Sequence, residues 1–326
     1  MINPDSELYR AHPDWALAAA TERTPLLQRN QLVLDLTNPS VLDYLYERLD
    51  VLLRDHPIDY LKWDHNRPLL EAGSPQRDGA PVAHEQNAAF LRLVDALRGA
   101  HPGVAIESCA SGGGRADLQV LEHVQRVWTS DQTDALARQQ IQRWTVQLAA
   151  PEYLGAHVSA PAAHQSGRTF TLDFRAATAF FCAFGIEWDL AEAGDDDLDR
   201  LAGWIRLHKQ WRPVLHAGRT VRVDVSDPAV LAHGVIAADR RRALLAHVQL
   251  DESVHERGVV LRIPGLDPGS EYTCRWLTPD GVPPPGLDPA GPAGGAPCSG
   301  AALASTGLWL PRCRPETIRL IAFEGV

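Results

Sequence analysis

IDYLKWDHNR, residues 58–67, begins as a buried strand and ends in charge. Ile58, Tyr60 and Leu61 come first, then Lys62, Asp64, Asn66 and Arg67 with no turn between them. Side chains alternate along a strand, so Lys62 and Asp64 share a face. A lone charged strand end reads as the start of a loop. Repeated along a series of strands and helices, it reads as the rim of a site.

The series extends on both sides. QLVLDL (31–36) reads as a strand, and 41–56, with apolar residues at spacings of three and four, as a helix. DYLKWD (59–64) is the next strand and 83–103 a helix closed by Gly and Pro. VAIESC (104–109) and RVWTSD (126–131) read as strands, separated by the short helix RADLQVLEHV. Residues 135–148 read as a helix, GAHVSA (155–160) as a strand, and 174–185 as a helix ending at Gly185. Such alternation predicts an α/β fold with a parallel sheet covered by helices. Residues 196–216 predict a helix broken at Pro213. After Gly218 the texture changes to short β-rich runs, TVRVDV, VIAAD, ALLAHVQL, GVVLRIP, YTCRWL and TIRLIAF. These predict an all-β antiparallel domain with a mobile loop at 280–297. The expected division is 1–217 and 218–326.

The strand ends carry Asp64, Glu107 with Cys109, Asp131, and His157. In a barrel of parallel strands such residues converge on one mouth. Asp64 and Asp131 each close a strand that carries a tryptophan, Trp63 and Trp128. Two carboxylates beside aromatic faces suit glycoside hydrolysis, one attacking the anomeric carbon and the other protonating the leaving oxygen. Trp128 reads equally well as core. Lysine occurs only at 62 and 209, while arginine is frequent. A lysine kept at 62 suits a need for a compact point charge, and an ammonium near Asp64 would keep it ionised.

The totals exclude other classes. A net charge of −10 argues against a nucleic-acid partner, which needs a basic face. No apolar run is long enough to span a membrane, and MINPDSELYR has neither the basic nor the apolar region of a signal peptide. Five scattered cysteines without a CxxC pair suit free thiols and a cytoplasmic setting. GGGR at 112–115 lacks the spacing of a phosphate-binding loop. His157, His164 and Glu187 lack the spacing of a metal site, so no metal and no cofactor is expected. Glu107, Asp117, Asp134 and Asp189 read as structural, paired with Arg115, Arg138 or backbone amides. His164, Gln165 and Arg168 read as ordering the loop after the strand at 155–160, and Cys182, Cys274, Cys298 and Cys313 as ordinary thiols.

LKWDHNR, ESCASGGGRADL, VWTSDQTDALARQQIQ and PEYLGAHVSAPAAHQSGR together resemble the consecutive signatures of microbial α-galactosidases of glycoside hydrolase family 36. NPDSELYRAHPDWAL, RNQLVLDL and LHAGRTVRVD match as well, so the resemblance covers essentially the whole chain. It implies a partial (β/α)8 TIM-type barrel, strands four to eight, followed by the antiparallel domain. It implies a retaining enzyme acting on α-galactosides of the melibiose and raffinose type. Asp64 would be the nucleophile and Asp131 the general acid/base. Lys62, Asn66 and Arg29 would bind galactose hydroxyls. Cys109, Ser111 and Gly112 would line the sugar pocket, and Trp128 would form a wall. The family's chains are about twice as long, so strands one to three and their sugar-gripping residues have no counterpart here. A homo-oligomer, or completion by an N-terminal chain, is the expected setting. A catalytically silent fragment is the alternative.

Overall fold

Apolar and polar side chains alternate along Tyr60–Asp64, and that alternation sets the two faces of the first part of the molecule. The computed structural model describes residues 1–19, 24–284 and 286–326. They form two compact units, Met1–Asp131 and Gln132–Val326.

The first unit runs α1 (Glu7–Ala11), α2 (Pro39–Asp55), β1 (Tyr60–Asp64), a small hairpin β2 (Gly73–Ser74) and β3 (Ala80–Pro81), α3 (Ala83–Ala100), β4 (Ala105–Cys109), α4 (Leu118–His123) and β5 (Arg126–Trp128). Strands β1, β4 and β5 pair in parallel, in that order. Asn38 caps α2 by accepting from Ser40 N–H at 3.0 Å, and Pro39 supplies the preset first turn. Leu45, Leu49 and Leu53 of α2 meet Leu93 and Leu97 of α3 over Trp63. Leu61 and Trp63 therefore face the helices, and Tyr60, Lys62 and Asp64 face the other way.

QLVLDL differs from expectation. It is extended, but among the described residues it forms only isolated bridges, Gln31 to Gln28, Leu32 to Ile2 and Leu34 to Ala16. Its backbone groups are taken by other partners: Leu17 N–H donates to Val33 O, and the Gln86 side chain bonds both Leu34 O and Leu36 N–H. Ile2, Ala16, Leu32, Leu34 and Val41 close a small apolar core around it.

The second unit runs α5 (Ala135–Thr145), β6 (Leu154–Ser159), α6 (Leu172–Ala179), β7 (Ala183–Glu187) and α7 (Asp195–Leu215). Strands β6 and β7 pair in parallel. Thus 183–187 is a strand where the sequence predicts the end of a helix. Every residue of α6 except Asp173 is buried, so the apolar run through 185 carries no polar face to mark where the helix stops. Pro213 does not break α7 but sits inside its last turn, where one backbone bond is lost at a helix end.

Then follow β8 (Arg219–Val223), β9 (Val230–Ile236), β10 (Arg242–Gln249), β11 (Val259–Leu261), β12 (Glu271–Leu277), β13 (Cys298–Ser299), α8 (Gly300–Ser305), β14 (Leu308–Leu310) and β15 (Thr317–Gly325). The six-stranded antiparallel sheet has the order β13-β12-β15-β10-β9-β8, and β11 pairs with β14. Val221, Leu245, Leu261, Tyr272, Leu310 and Phe323 belong to the core of this sheet. Helices α6 and α7 pack against it. The 280–297 segment, apart from Pro285, which lies outside the described residues, meets β12 where Trp276 Nε1–H donates to Asp288 O at 3.0 Å.

Three histidines of this unit, His208, His233 and His247, are lowered to about 4 by burial. His208 stacks on Phe184 at 5.0 Å, and His233 meets Phe181 at 4.7 Å. Unfolded histidine titrates near about 6.5, so below that pH the unfolded chain takes up protons that the folded chain refuses. Stability is then fully present above about pH 6.5 and is lost as the pH falls towards 4. Each histidine contributes about 1.4 kcal/mol per pH unit crossed. Urea unfolding of the chain is expected to shift to markedly lower denaturant between pH 7 and 4.5, and less so in His247→Phe. A midpoint that stays flat over this range would refute the assignment of neutral buried histidines.

Candidate active site

Register builds the site. Lys62 lies opposite Glu107, Glu107 opposite Arg126, and Asp64 opposite Cys109. Paired residues of neighbouring strands point to the same face, so Lys62, Glu107 and Arg126 form one row. Asp64 and Cys109 form the next row, towards the C-terminal strand ends, and Trp128 follows Arg126 on that face. Chain sterics thus place a charged row directly below the candidate nucleophile.

Contacts join the two aspartates into one cluster. Asn66 donates from Nδ2 to Asp64 and accepts at Oδ1 from Ser111 N–H at 3.0 Å. Trp128 Nε1–H donates to Asp131 Oδ1 at 3.0 Å. The Lys62 ammonium lies 4.3 Å from the Trp128 ring centroid, a cation–π contact. Asp64 and Asp131 are exposed, while Cys109 and Trp128 are buried. Burial pushes the Cys109 thiol up to about 11, helped by its hydrogen bond to Asp64. At neutral pH it is therefore a thiol donor to Asp64, not a thiolate nucleophile.

The glycine turn has a structural reason. Ser111 and Gly112 adopt φ of 50° and 78°. A Cβ on Gly112 would stand 2.8 Å from Ser130 Cα and 2.9 Å from Asp131 N. Gly112 thus brings the turn after β4 against the backbone that carries Asp131. Gly112→Ala is expected to cost about 3 kcal/mol through strain and overlap. An unchanged denaturation midpoint would contradict this role.

Arg29 is placed differently. It sits with Asn30 at the exposed tip of a two-residue turn between Gln28 and Gln31, both at positive φ (53° and 56°). None of the contacts above joins it to the cluster. Asp117, Asp134 and Asp189 accept backbone amides at helix starts, as the sequence suggests. Asp134 also pairs with Arg168 at 2.6 Å, and Gln165 accepts from Thr133 N–H and Oγ1. His157 pairs with Glu187 at 3.3 Å. Among the described residues no three His, Cys, Asp or Glu side chains gather as metal ligands. No helix among them is long and apolar enough to cross a membrane.

Glu107 departs from the expected pairing with arginine. Its buried carboxylate accepts from Tyr60 Oη and lies 3.4 Å from Lys62 Nζ. Aligning KWD with ESC in parallel register would have revealed the pair. Arg115 instead donates to Ser108 Oγ and Cys109 O and covers the Phe90 ring.

The Melibiase family model matches residues 1–218, and that of the glycosyl hydrolase family 36 C-terminal domain matches 230–317. The chain is 39% identical to the alpha-galactosidase of Escherichia coli over 331 residues, covering 99% of this chain and 46% of that protein. It is 41% identical to alpha-galactosidase C of Emericella nidulans, over 84% of this chain and 36% of that one. The crystal structure of the GH36 alpha-galactosidase AgaA of Geobacillus stearothermophilus superposes with a TM-score of 0.88 at 31% identity. That match covers 100% of this chain and 43% of AgaA. An AgaA variant with raffinose bound gives 0.89. The chain spans less than half the length of these relatives. Its parallel strands with intervening helices, its antiparallel C-terminal sheet and its sequence agree on one assignment. The chain belongs to the melibiase family and carries the glycosyl hydrolase family 36 C-terminal domain.

Proposed function

We propose that the chain provides the two catalytic carboxylates of a retaining α-galactosidase acting on terminal non-reducing α-D-galactosyl residues. Asp64 attacks the anomeric carbon while Asp131 protonates the departing glycosidic oxygen. The resulting β-galactosyl ester on Asp64 is cleaved by a water that Asp131 deprotonates, restoring the α-configuration. Asn66 and Cys109 orient the Asp64 carboxylate through hydrogen bonds. Trp128 Nε1–H fixes the orientation of the Asp131 carboxyl group by donating to its Oδ1. Lys62 and Asn66 bind ring hydroxyls, Ser111 and Gly112 shape the pocket floor, and Arg29 reaches the sugar from its turn. The raffinose and stachyose bound to AgaA variants make α-galactosyl oligosaccharides the substrate class of choice.

The observation that carries this reading is the continuous set of contacts from Asp64 through Asn66, Ser111 and Gly112 to Asp131, closed by Trp128 and Lys62. Two functional parts are proposed, catalytic barrel to 217 and β-sandwich from 218. The five free thiols accord with the cytoplasm. The test is hydrolysis of a chromogenic α-galactoside, followed by NMR of the first-formed sugar. α-Galactose as first product supports the reading, and β-galactose refutes it.

A second reading has its own support. β1 stands at the edge of its sheet, and Tyr60, Lys62 and Asp64 are exposed along it. A site open to water loses much of its electrostatic strength. In this reading the isolated chain is silent until an N-terminal chain of the family or a homo-oligomer covers that edge. Activity that appears only on adding such a chain would select it.

A further inference from the structure

We propose that Glu107 is a positioning residue, whose buried carboxylate fixes the Lys62 ammonium between itself and the Trp128 ring, beside Asp64. The inference rests on the proposed α-galactosidase reading for its purpose, but not for its geometry.

Glu107 is 2% exposed on the middle strand of the first unit. A buried carboxylate is costly unless paired and hydrogen-bonded. Its Oε2 is satisfied by the Tyr60 hydroxyl. Its Oε1 accepts no hydrogen bond among the described residues and faces Lys62 Nζ at 3.4 Å. Tyr60 is in turn fixed by the Arg126 guanidinium, 5.5 Å from its ring centroid. Tyr60, Glu107 and Arg126 thus form a braced base, and Lys62 is the member that reaches out of it, with 39% of its side chain exposed.

A free lysine loses up to about 2 kcal/mol of rotamer entropy when a ligand immobilises it. Two prior contacts, Glu107 below and Trp128 alongside, remove most of that freedom before a sugar arrives. They also leave the remaining ammonium hydrogens on the exposed side of the sheet, the side that carries Asp64. A merely structural Glu107 would need Tyr60 alone. The placement of Oε1 against Lys62, one row beneath Asp64, gives it this further task.

The sequence makes the test direct, because Lys62 and Lys209 are the only lysines. Lysine labelled with 13C gives two ε-methylene signals, assigned with Lys209→Arg. In the unaltered chain the Lys62 signal is expected upfield, shielded by the Trp128 ring. In Glu107→Gln it should move to the exposed-lysine position held by Lys209, with the rest of the spectrum unchanged. Glu107→Met, which removes both carboxylate oxygens at similar side-chain volume, should shift it in the same direction and serves should Glu107→Gln fail to fold. A Lys62 signal that stays in place in the folded variants overturns the proposal.

1-Deoxygalactonojirimycin, the ligand of an AgaA variant, separates this inference from the function it rests on. Glu107→Gln should weaken its binding about tenfold, the scale of one charged hydrogen bond. The same change in a Lys62→Ala background should cost nothing further. Equal losses in both backgrounds would overturn the proposal. Failure of the unaltered chain to bind the iminosugar would count against the α-galactosidase reading, and the lysine spectrum would still decide the role of Glu107.

Discussion

Asp64→Ala is expected to abolish turnover of α-galactosides by about five orders of magnitude while leaving the fold intact. The loss is large because the carboxylate forms a covalent bond, and no neighbour can take its place. Cys109, the nearest candidate, is held as a thiol by burial. The fold should survive because the Asp64 side chain is exposed, and its hydrogen bonds to Asn66 and Cys109 lie at the rim of the sheet. Azide supplied to this variant should enter the space left by the carboxylate, attack the α-galactoside directly and yield the β-galactosyl azide. The anomeric coupling in the proton spectrum identifies it. An α-azide would show that Asp64 is not the nucleophile.

Asp131→Ala is expected to behave oppositely. An activated phenol leaves without a strong acid, so formation of the galactosyl-enzyme should survive. Its hydrolysis should slow by about three orders of magnitude, because water then lacks its base. A pre-steady-state burst of phenol followed by slow turnover would show this. Azide needs no general base and should restore turnover, giving the α-galactosyl azide. If Asp131→Ala gave the β-azide, the two aspartates would exchange roles.

LKWD does end a strand in charge, at Asp64, whereas the strand expected over 126–131 stops at Trp128 and Asp131 lies in the turn beyond it. The alternation that sets Lys62 and Asp64 on one face was readable from period alone. Two strand assignments were not. QLVLDL has the composition of a strand, yet its neighbours along the chain and Gln86 satisfy its backbone. Which partner wins is decided by tertiary packing, which local pattern does not encode. Ala183–Glu187 was hidden inside an apolar run because α6, apart from Asp173 in its first turn, is buried. The spacing of the glycines at 112–114 argues against a phosphate loop, while the close approach of Gly112 to Ser130 and Asp131 depends on a turn that spacing does not disclose. Glu107 was misjudged for a similar reason. Its partners come from the cross-strand register, and within its own segment Arg115 is the nearer cation by number.

The central claim, that Asp64 carries the galactosyl group, is tested most directly by trapping the intermediate. 5-Fluoro-α-galactosyl fluoride has a good leaving group and a ring fluorine that slows hydrolysis of the ester, so label should accumulate on the nucleophile. Tryptic digestion and fragmentation should place one fluorogalactosyl group on the peptide Trp63–Arg77, at Asp64. Label on Asp131 or on any other residue, or turnover to β-galactose with no label, would contradict the account.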